Sequence, residues 1–171
     1  MGERLACIDP GTPGGYLFTV GELGPSGEME FVSCSGVPTE MAEIVRRTRP
    51  SLGVIEQVHC GLMSKVANFK LGMNYGIWLG IFAGMEIPVV LVTPQEWQRK
   101  FRKIGEDRGL IQRRGKNVPK VENPVNVKEV VWTVLKEINP ELFTDPRFIA
   151  HRSHRSDAFG IRSWYRDTHG A

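Results

Sequence analysis

The chain has 171 residues, 41% of them hydrophobic and 24% charged, and a net charge of +3. Those values belong to one globular domain that buries its own core without disulfide or metal staples, and they exclude a disordered or fibrous chain. The longest apolar stretch, Ile77 to Val92, is broken by Glu86 and Pro88 and falls short of the roughly 20 residues that a membrane span needs.

Met1-Gly2-Glu3-Arg4 leads straight into a strand-like segment, which reads as a chain without a signal peptide and therefore cytoplasmic. Leu5-Ala6-Cys7-Ile8-Asp9 is a short apolar strand closed by a carboxylate, and Pro10 to Gly15 is a strong turn signal. Tyr16 to Val20 returns as a second strand, Gly21 to Gly27 turns again, and Met29 to Cys34 makes a third. Short turns between three strands predict an antiparallel meander. Thr39 is placed to cap a helix whose apolar positions Met41, Ile44 and Val45 recur at helical spacing. Leu52-Gly53-Val54-Ile55-Glu56 is a fourth strand, again closed by a carboxylate.

Ser64 to Met85 reads as a long helix in which glycines 72, 76, 80 and 84 recur every four residues, a stripe suited to close packing on the sheet or on a partner subunit. Pro88 to Val92 is a fifth strand. Thr93 then caps a helix over Pro94 to Phe101, with proline at its first position. Gly105 to Pro124 is polar, basic and punctuated by Gly and Pro, which reads as a mobile loop. Asn126 caps a helix running to about Ile138, and a last helix starts near Ser153 or Ser156, with Asp157, Ile161 and Trp164 on one face. The order predicts an α/β domain over residues 1–171, with a mixed sheet flanked by helices. Cys7, Cys34 and Cys60 are odd in number and lack paired spacing, so buried reduced thiols are expected rather than a zinc site or a disulfide.

The charge is unevenly spread. Nine basic residues stand between Arg99 and Lys120 against Glu106 and Asp107 alone, and Arg147, Arg152, Arg155, Arg162 and Arg166 form a second cluster. Such asymmetry is the footprint of a polyanion-binding face.

Asp9, Glu56 and Asp157 each sit at the edge of an element beside apolar neighbours, where an ionised carboxylate is costly unless paired or metal-bound. If the first and fourth strands are adjacent and parallel, Asp9 and Glu56 emerge at the same sheet end, where a crossing helix can present Asp157. Three converging carboxylates repel one another, and Mg²⁺, with its preference for oxygen ligands, relieves them. A pair of such ions activates a water and stabilises the leaving oxygen of a phosphodiester. His154 lies three residues before Asp157 and faces the same way on a helix, placed to orient the attacking water or to bind metal. Taken singly, an Asp-Pro-Gly turn, a strand-end glutamate and a lone histidine are ordinary features.

Together they are not. Ile8-Asp9-Pro10-Gly11, Ile55-Glu56-Gln57-Val58 and His154-Arg155-Ser156-Asp157-Ala158 resemble, in order and approximate spacing, the three signature segments of RuvC-type Holliday-junction resolvases. The chain is similar to the shorter phage-encoded members more than to the bacterial enzyme. The resemblance implies a ribonuclease H-like fold, with three antiparallel strands followed by parallel ones in a five-stranded mixed sheet. It also implies a homodimer that cuts four-way DNA junctions by paired, Mg²⁺-dependent hydrolysis, with Mn²⁺ as a substitute, leaving 5′-phosphate and 3′-hydroxyl ends. Asp9, Glu56, His154 and Asp157 become the catalytic metal ligands, and the setting a bacterial or phage-infected cell. Bacterial members often carry an aromatic directly after Glu-Gln-Val, where His59 stands here. The DNA contacts then fall to His59, Lys65, Lys70, Arg99, Lys100, Arg102, Lys103, Arg113, Arg114 and Lys116, with salt-sensitive and largely sequence-independent affinity.

The alternative keeps the metal chemistry and changes the substrate to flaps, forks or other branched DNA, since phosphodiester hydrolysis is indifferent to strand topology. An actin-like ATPase would also open with an acidic residue in a Gly-rich hairpin, but it needs two related domains. A catalytically silent junction-binding module would not need Asp9, Glu56, His154 and Asp157 all intact.

Overall fold

The computed structural model describes residues 4–11, 16–21, 29–34, 37–59, 61, 64–112, 120–144 and 152–170, with backbone alone at 16–21, 29–34, 142 and 152–154. Its elements run β1 (Leu5–Asp9), β2 (Tyr16–Gly21), β3 (Met29–Cys34), α1 (Pro38–Thr48), β4 (Leu52–Glu56), α2 (Lys65–Gly84), β5 (Val89–Val92), α3 (Pro94–Asp107), α4 (Val127–Ile138), a short 3₁₀ turn (Pro140–Thr144) and α5 (Arg152–His169). The strands form one sheet in the order β3-β2-β1-β4-β5. β2 pairs antiparallel with β1 and β3, whereas β4 runs parallel to β1 and β5.

The central strands are apolar on both faces because helices cover both faces. Alternation along β1 splits the core into two layers. Ala6 and Ile8 join Ile55, Met41, Ile44, Val45, Trp78 and Phe82 beneath α1 and α2. Leu5 and Cys7 join Leu52, Val54, Val92, Trp97, Phe101, Val130, Val131, Leu135 and Ile161 beneath α3, α4 and α5. Gly53 lets α2 approach β4 closely, since an added Cβ would stand 3.1 Å from the Phe82 ring.

Local capping explains where the helices begin and end. α1 starts at Pro38 after Val37, without a side-chain cap, so Thr39 lies inside the first turn instead of capping it. The fixed φ of proline does the work that a capping hydroxyl does elsewhere. Ser64 caps α2, accepting from the Ala67 N–H at 3.2 Å, and Asn126 caps α4, accepting from Glu129 at 3.0 Å. Thr93 and Glu96 form a reciprocal capping box at the start of α3. α3 runs on to Asp107 rather than stopping at Phe101, because Gly105 extends the buried stripe of Trp97 and Phe101 by one more turn. An added Cβ at Gly105 would come within 2.6 Å of Ile111 and 2.8 Å of Val130, so α3, α4 and the chain after α3 meet there. The expected basic loop therefore begins only after α3. α5 begins at Arg152, ahead of the two serines proposed as its start.

Cys7 is buried and is not in a disulfide. Cys60, the side chain of Cys34 and the expected turns at residues 12–15 and 22–28 lie outside the described residues. Among the described residues, no helix is long and apolar enough to cross a membrane.

Candidate active site

β1 and β4 pair in parallel through Ile8 and Ile55, and each strand ends one residue later, at Asp9 and at Glu56. The same alternation that turns Leu5, Cys7, Leu52 and Val54 toward α5 puts Asp9 and Glu56 on that face, at one end of the sheet. α5 packs across this face and brings in Asp157, which is only 3% exposed. Asp9, at 9%, is also buried, and its Oδ1 accepts the Gly11 backbone N–H at 2.9 Å. That bond ties the carboxylate to the Asp-Pro-Gly turn beyond the strand.

The electrostatics of Glu56 show how crowded the site is. Burial, then the negative charges of Asp9 and Asp157, raise its carboxyl from 4.5 to about 8. Two neighbours pull the other way. The Trp97 indole N–H donates to Glu56 Oε2 at 3.2 Å, and the Lys128 ammonium adds its charge. Lys128 stands in the first turn of α4 and donates from Nζ to Asp157 Oδ2 in an ion pair. Burial works against its charge, but Asp157, Asp9 and Glu56 outweigh burial and raise its pKa above the ordinary lysine value. One ammonium thus faces three carboxylates.

Among the described residues, no group of three or more His, Cys, Asp or Glu side chains is arranged to hold a metal ion as it stands. Asp157 is engaged by Lys128, and the side chain of His154 lies outside the described residues, although its backbone sits in α5 three residues before Asp157. The donor chemistry nevertheless fits a hard divalent cation. Every described ligand is a carboxylate oxygen, and at Glu56, beyond the effect of burial, the negative charges of Asp9 and Asp157 outweigh the Lys128 ammonium.

The expected DNA contacts fall into several groups. Lys65 and Lys70 are exposed near the start of α2. His59 is exposed on the segment after Glu56, which Asn68 of α2 clamps through two 3.2 Å bonds, accepting from Gly61 N–H and donating to Gly61 O. Arg99, Arg102 and Lys103 are exposed on α3, whereas Lys100 is engaged within the fold, bonded to Asp167 at 2.6 Å and to Ser163 Oγ at 2.9 Å. Arg113, Arg114 and Lys116 lie outside the described residues. Of the second basic cluster, Arg155 and Arg162 are buried, which removes them from any DNA-facing surface.

Sequence reasoning passed over two members of the site. Lys128 was not singled out; its signal was a cation in the first turn of a helix, where the macrodipole disfavours positive charge unless a carboxylate is near. Trp97 was not singled out either; it is a core residue whose N–H reaches a carboxylate.

No protein-family model matches the chain, and no curated protein matches it in sequence. Solved structures do match in fold. Thermus thermophilus RuvC in complex with a Holliday junction substrate superposes with a TM-score of 0.59 at 17% identity, covering 96% of this chain and 96% of that one. The yeast mitochondrial Holliday junction resolvase gives 0.54 at 9% identity over 95% of this chain and 78% of that chain. The fowlpox virus Holliday junction resolvase gives 0.52 at 11% identity, with 96% and 97% covered. The chain therefore has the α/β fold of RuvC and its structural relatives.

Proposed function

We propose that this protein is a divalent-metal-dependent endonuclease that resolves four-way DNA junctions as a homodimer, hydrolysing a phosphodiester in each of two strands to leave 5′-phosphate and 3′-hydroxyl ends. The observation that carries this reading is the meeting of Asp9, Glu56 and Asp157 at one sheet end, on a fold whose solved neighbours are junction resolvases. Asp9, Glu56 and Asp157, with His154, are the residues that would hold Mg²⁺ or Mn²⁺. Bound there, the metal supplies Lewis acidity, lowering the pKa of the attacking water and neutralising the leaving oxygen.

The chain's own groups prepare that site. The Gly11 N–H fixes Asp9, and the Trp97 N–H fixes one oxygen of Glu56. Lys128 holds Asp157 and partly neutralises the cluster, so the carboxylates can lie together before a metal arrives. Lys65, Lys70, Arg99, Arg102 and Lys103 are exposed cations available to DNA phosphates.

The homodimer is supported by α2. From Leu71 to Gly84 this helix has no charged residue, yet only one side meets the sheet through Asn74, Trp78 and Phe82. Its outer side exposes Val66 (64%), Phe69 (72%) and Met73 (48%). An added Cβ at Gly72, Gly76, Gly80 or Gly84 would meet nothing within 4 Å among the described residues. The glycine stripe is thus not spent on the sheet, and a second copy of the helix laid against it would cover the apolar face.

Purified protein is incubated with a labelled immobile four-way junction, a flap and a plain duplex, in Mg²⁺ or in EDTA. Paired symmetric nicks confined to the junction, lost in EDTA and in Asp9→Asn, are the expected result. Preferential cutting of the flap transfers the same chemistry to other branched DNA. Tight junction binding without cutting in Mg²⁺ or Mn²⁺ refutes the nuclease.

A further inference from the structure

Trp97 holds a position that packing alone does not require. It is fully buried, and its indole N–H makes the one side-chain hydrogen bond that the Glu56 carboxylate accepts among the described residues, at Oε2. The ring is held from the other side by α5. An added Cβ at Gly160 would stand 2.6 Å from ring carbons Cε3 and Cζ3, so the α5 backbone rests directly on the indole. Gly160 lies three residues after Asp157 on the same helix. Ahead of Trp97, the Thr93–Glu96 capping box fixes the first turn of α3, and one turn beyond it Lys100 ties α3 to Asp167 and Ser163 of α5. The orientation of Glu56 is thereby linked through one ring to the helix that presents Asp157.

We propose that Trp97 is a positioning residue for Glu56, in which the indole N–H, seated against Gly160, fixes Oε2 and keeps Glu56 and Asp157 in one relative geometry for a divalent cation. This rests on the metal-site reading above, but its test does not depend on nuclease activity. Once a bound cation ionises Glu56, this hydrogen bond has a charged acceptor and is among the stronger ones a protein makes, and Trp97→Phe removes it while leaving an aromatic ring in the packed space.

Two measurements test it. The first is a proton–nitrogen spectrum of the indole N–H groups of the full chain, with the Trp97 signal identified by its loss in Trp97→Phe. That signal is expected to move in Glu56→Gln and on addition of Mg²⁺ alone. The second compares the Mg²⁺ concentration for half-maximal cleavage, which Trp97→Phe is expected to raise about 10-fold or more, while junction affinity in EDTA stays unchanged. Phe101→Leu, a packing change one turn away that touches no carboxylate, is expected to leave that Mg²⁺ requirement at the wild-type value. A Trp97 signal indifferent to both Glu56→Gln and Mg²⁺ overturns the proposal, and so does a wild-type Mg²⁺ requirement in Trp97→Phe. Should Trp97→Phe not fold, its signal is identified instead by comparison with Trp78→Phe, Trp132→Phe and Trp164→Phe, and its response to Glu56→Gln decides. If the protein cuts no DNA, the nuclease reading fails while the Mg²⁺-induced shift still judges the positioning role.

Discussion

Glu56 should make the metal-free protein less stable as the pH rises. Its carboxyl titrates at 4.5 in the unfolded chain and at about 8 in the fold, raised by burial and by Asp9 and Asp157. Below 4.5 both states carry the proton, and the group contributes nothing to the pH dependence. Between 4.5 and about 8 the folded state retains a proton that the unfolded state has lost, so stability falls by about 1.4 kcal/mol per pH unit. Across the window this comes to roughly 5 kcal/mol, comparable with the whole stability of a marginal domain. The assay is urea unfolding in EDTA across this range, for wild type and Glu56→Gln. The difference between the curves reports Glu56 together with its coupling to Asp9, Asp157 and Lys128. Wild type should lose several kcal/mol relative to the variant, and Mg²⁺ should restore wild type more at high pH than at low pH. Parallel curves in EDTA would refute the crowding of the three carboxylates.

Further outcomes follow from the same geometry. Asp9→Asn and Asp157→Asn should abolish cleavage while leaving junction binding intact, read by a gel assay in Mg²⁺. Lys128→Met removes the only described cation in the cluster and should cost about 1–3 kcal/mol in EDTA, less than a fully buried pair because the lysine side chain is 47% exposed. Denaturation in Mg²⁺ should recover part of that loss. Gly76→Leu should separate fold from assembly: the position is open within one chain, so the helix should gain about 0.5–1 kcal/mol while light scattering reports a monomer. Lys65→Gln with Lys70→Gln should weaken junction binding and lower the slope of log affinity against log salt by about 2.

What the sequence made legible was whatever depends on local order. The carboxylates closing two apolar runs, Asp9 and Glu56, could be placed at one sheet end as soon as β1 and β4 were read as parallel neighbours, because alternation along a strand fixes the face. Asn126 announced its helix by chemistry that acts over three residues. Thr39 misled because Pro38 started α1 first. The end of α3 misled because Gly105, a breaker by propensity, is required by Ile111 and Val130, contacts invisible to a local reading. Lys128 and Trp97 were illegible for the same reason. Their roles depend on the carboxylates they reach, 29 and 41 residues away in sequence.

Two demands of this fold are left unmet by the chain itself, and they lie on opposite faces of the sheet. Beneath α3, α4 and α5, three carboxylates share one lysine among the described residues, and burial together with that crowding gives a Glu56 carboxyl that keeps its proton to about pH 8. On the other side, α2 buries one apolar face and leaves a second, glycine-striped one open. A sequence selected only for the stability of the isolated subunit would put an asparagine at one of the acidic positions and charges on the outer side of α2. This sequence does neither, and under the proposed function each omission would be relieved by something outside the chain, a divalent cation in one case and a second copy in the other. The two are separable. If Gly76→Leu yields a stable monomer whose Glu56-dependent pH profile matches that of wild type, the site is complete within one subunit and pairing serves to set two such sites on one DNA. If the profile changes with assembly, the second copy takes part in the charge balance of the first.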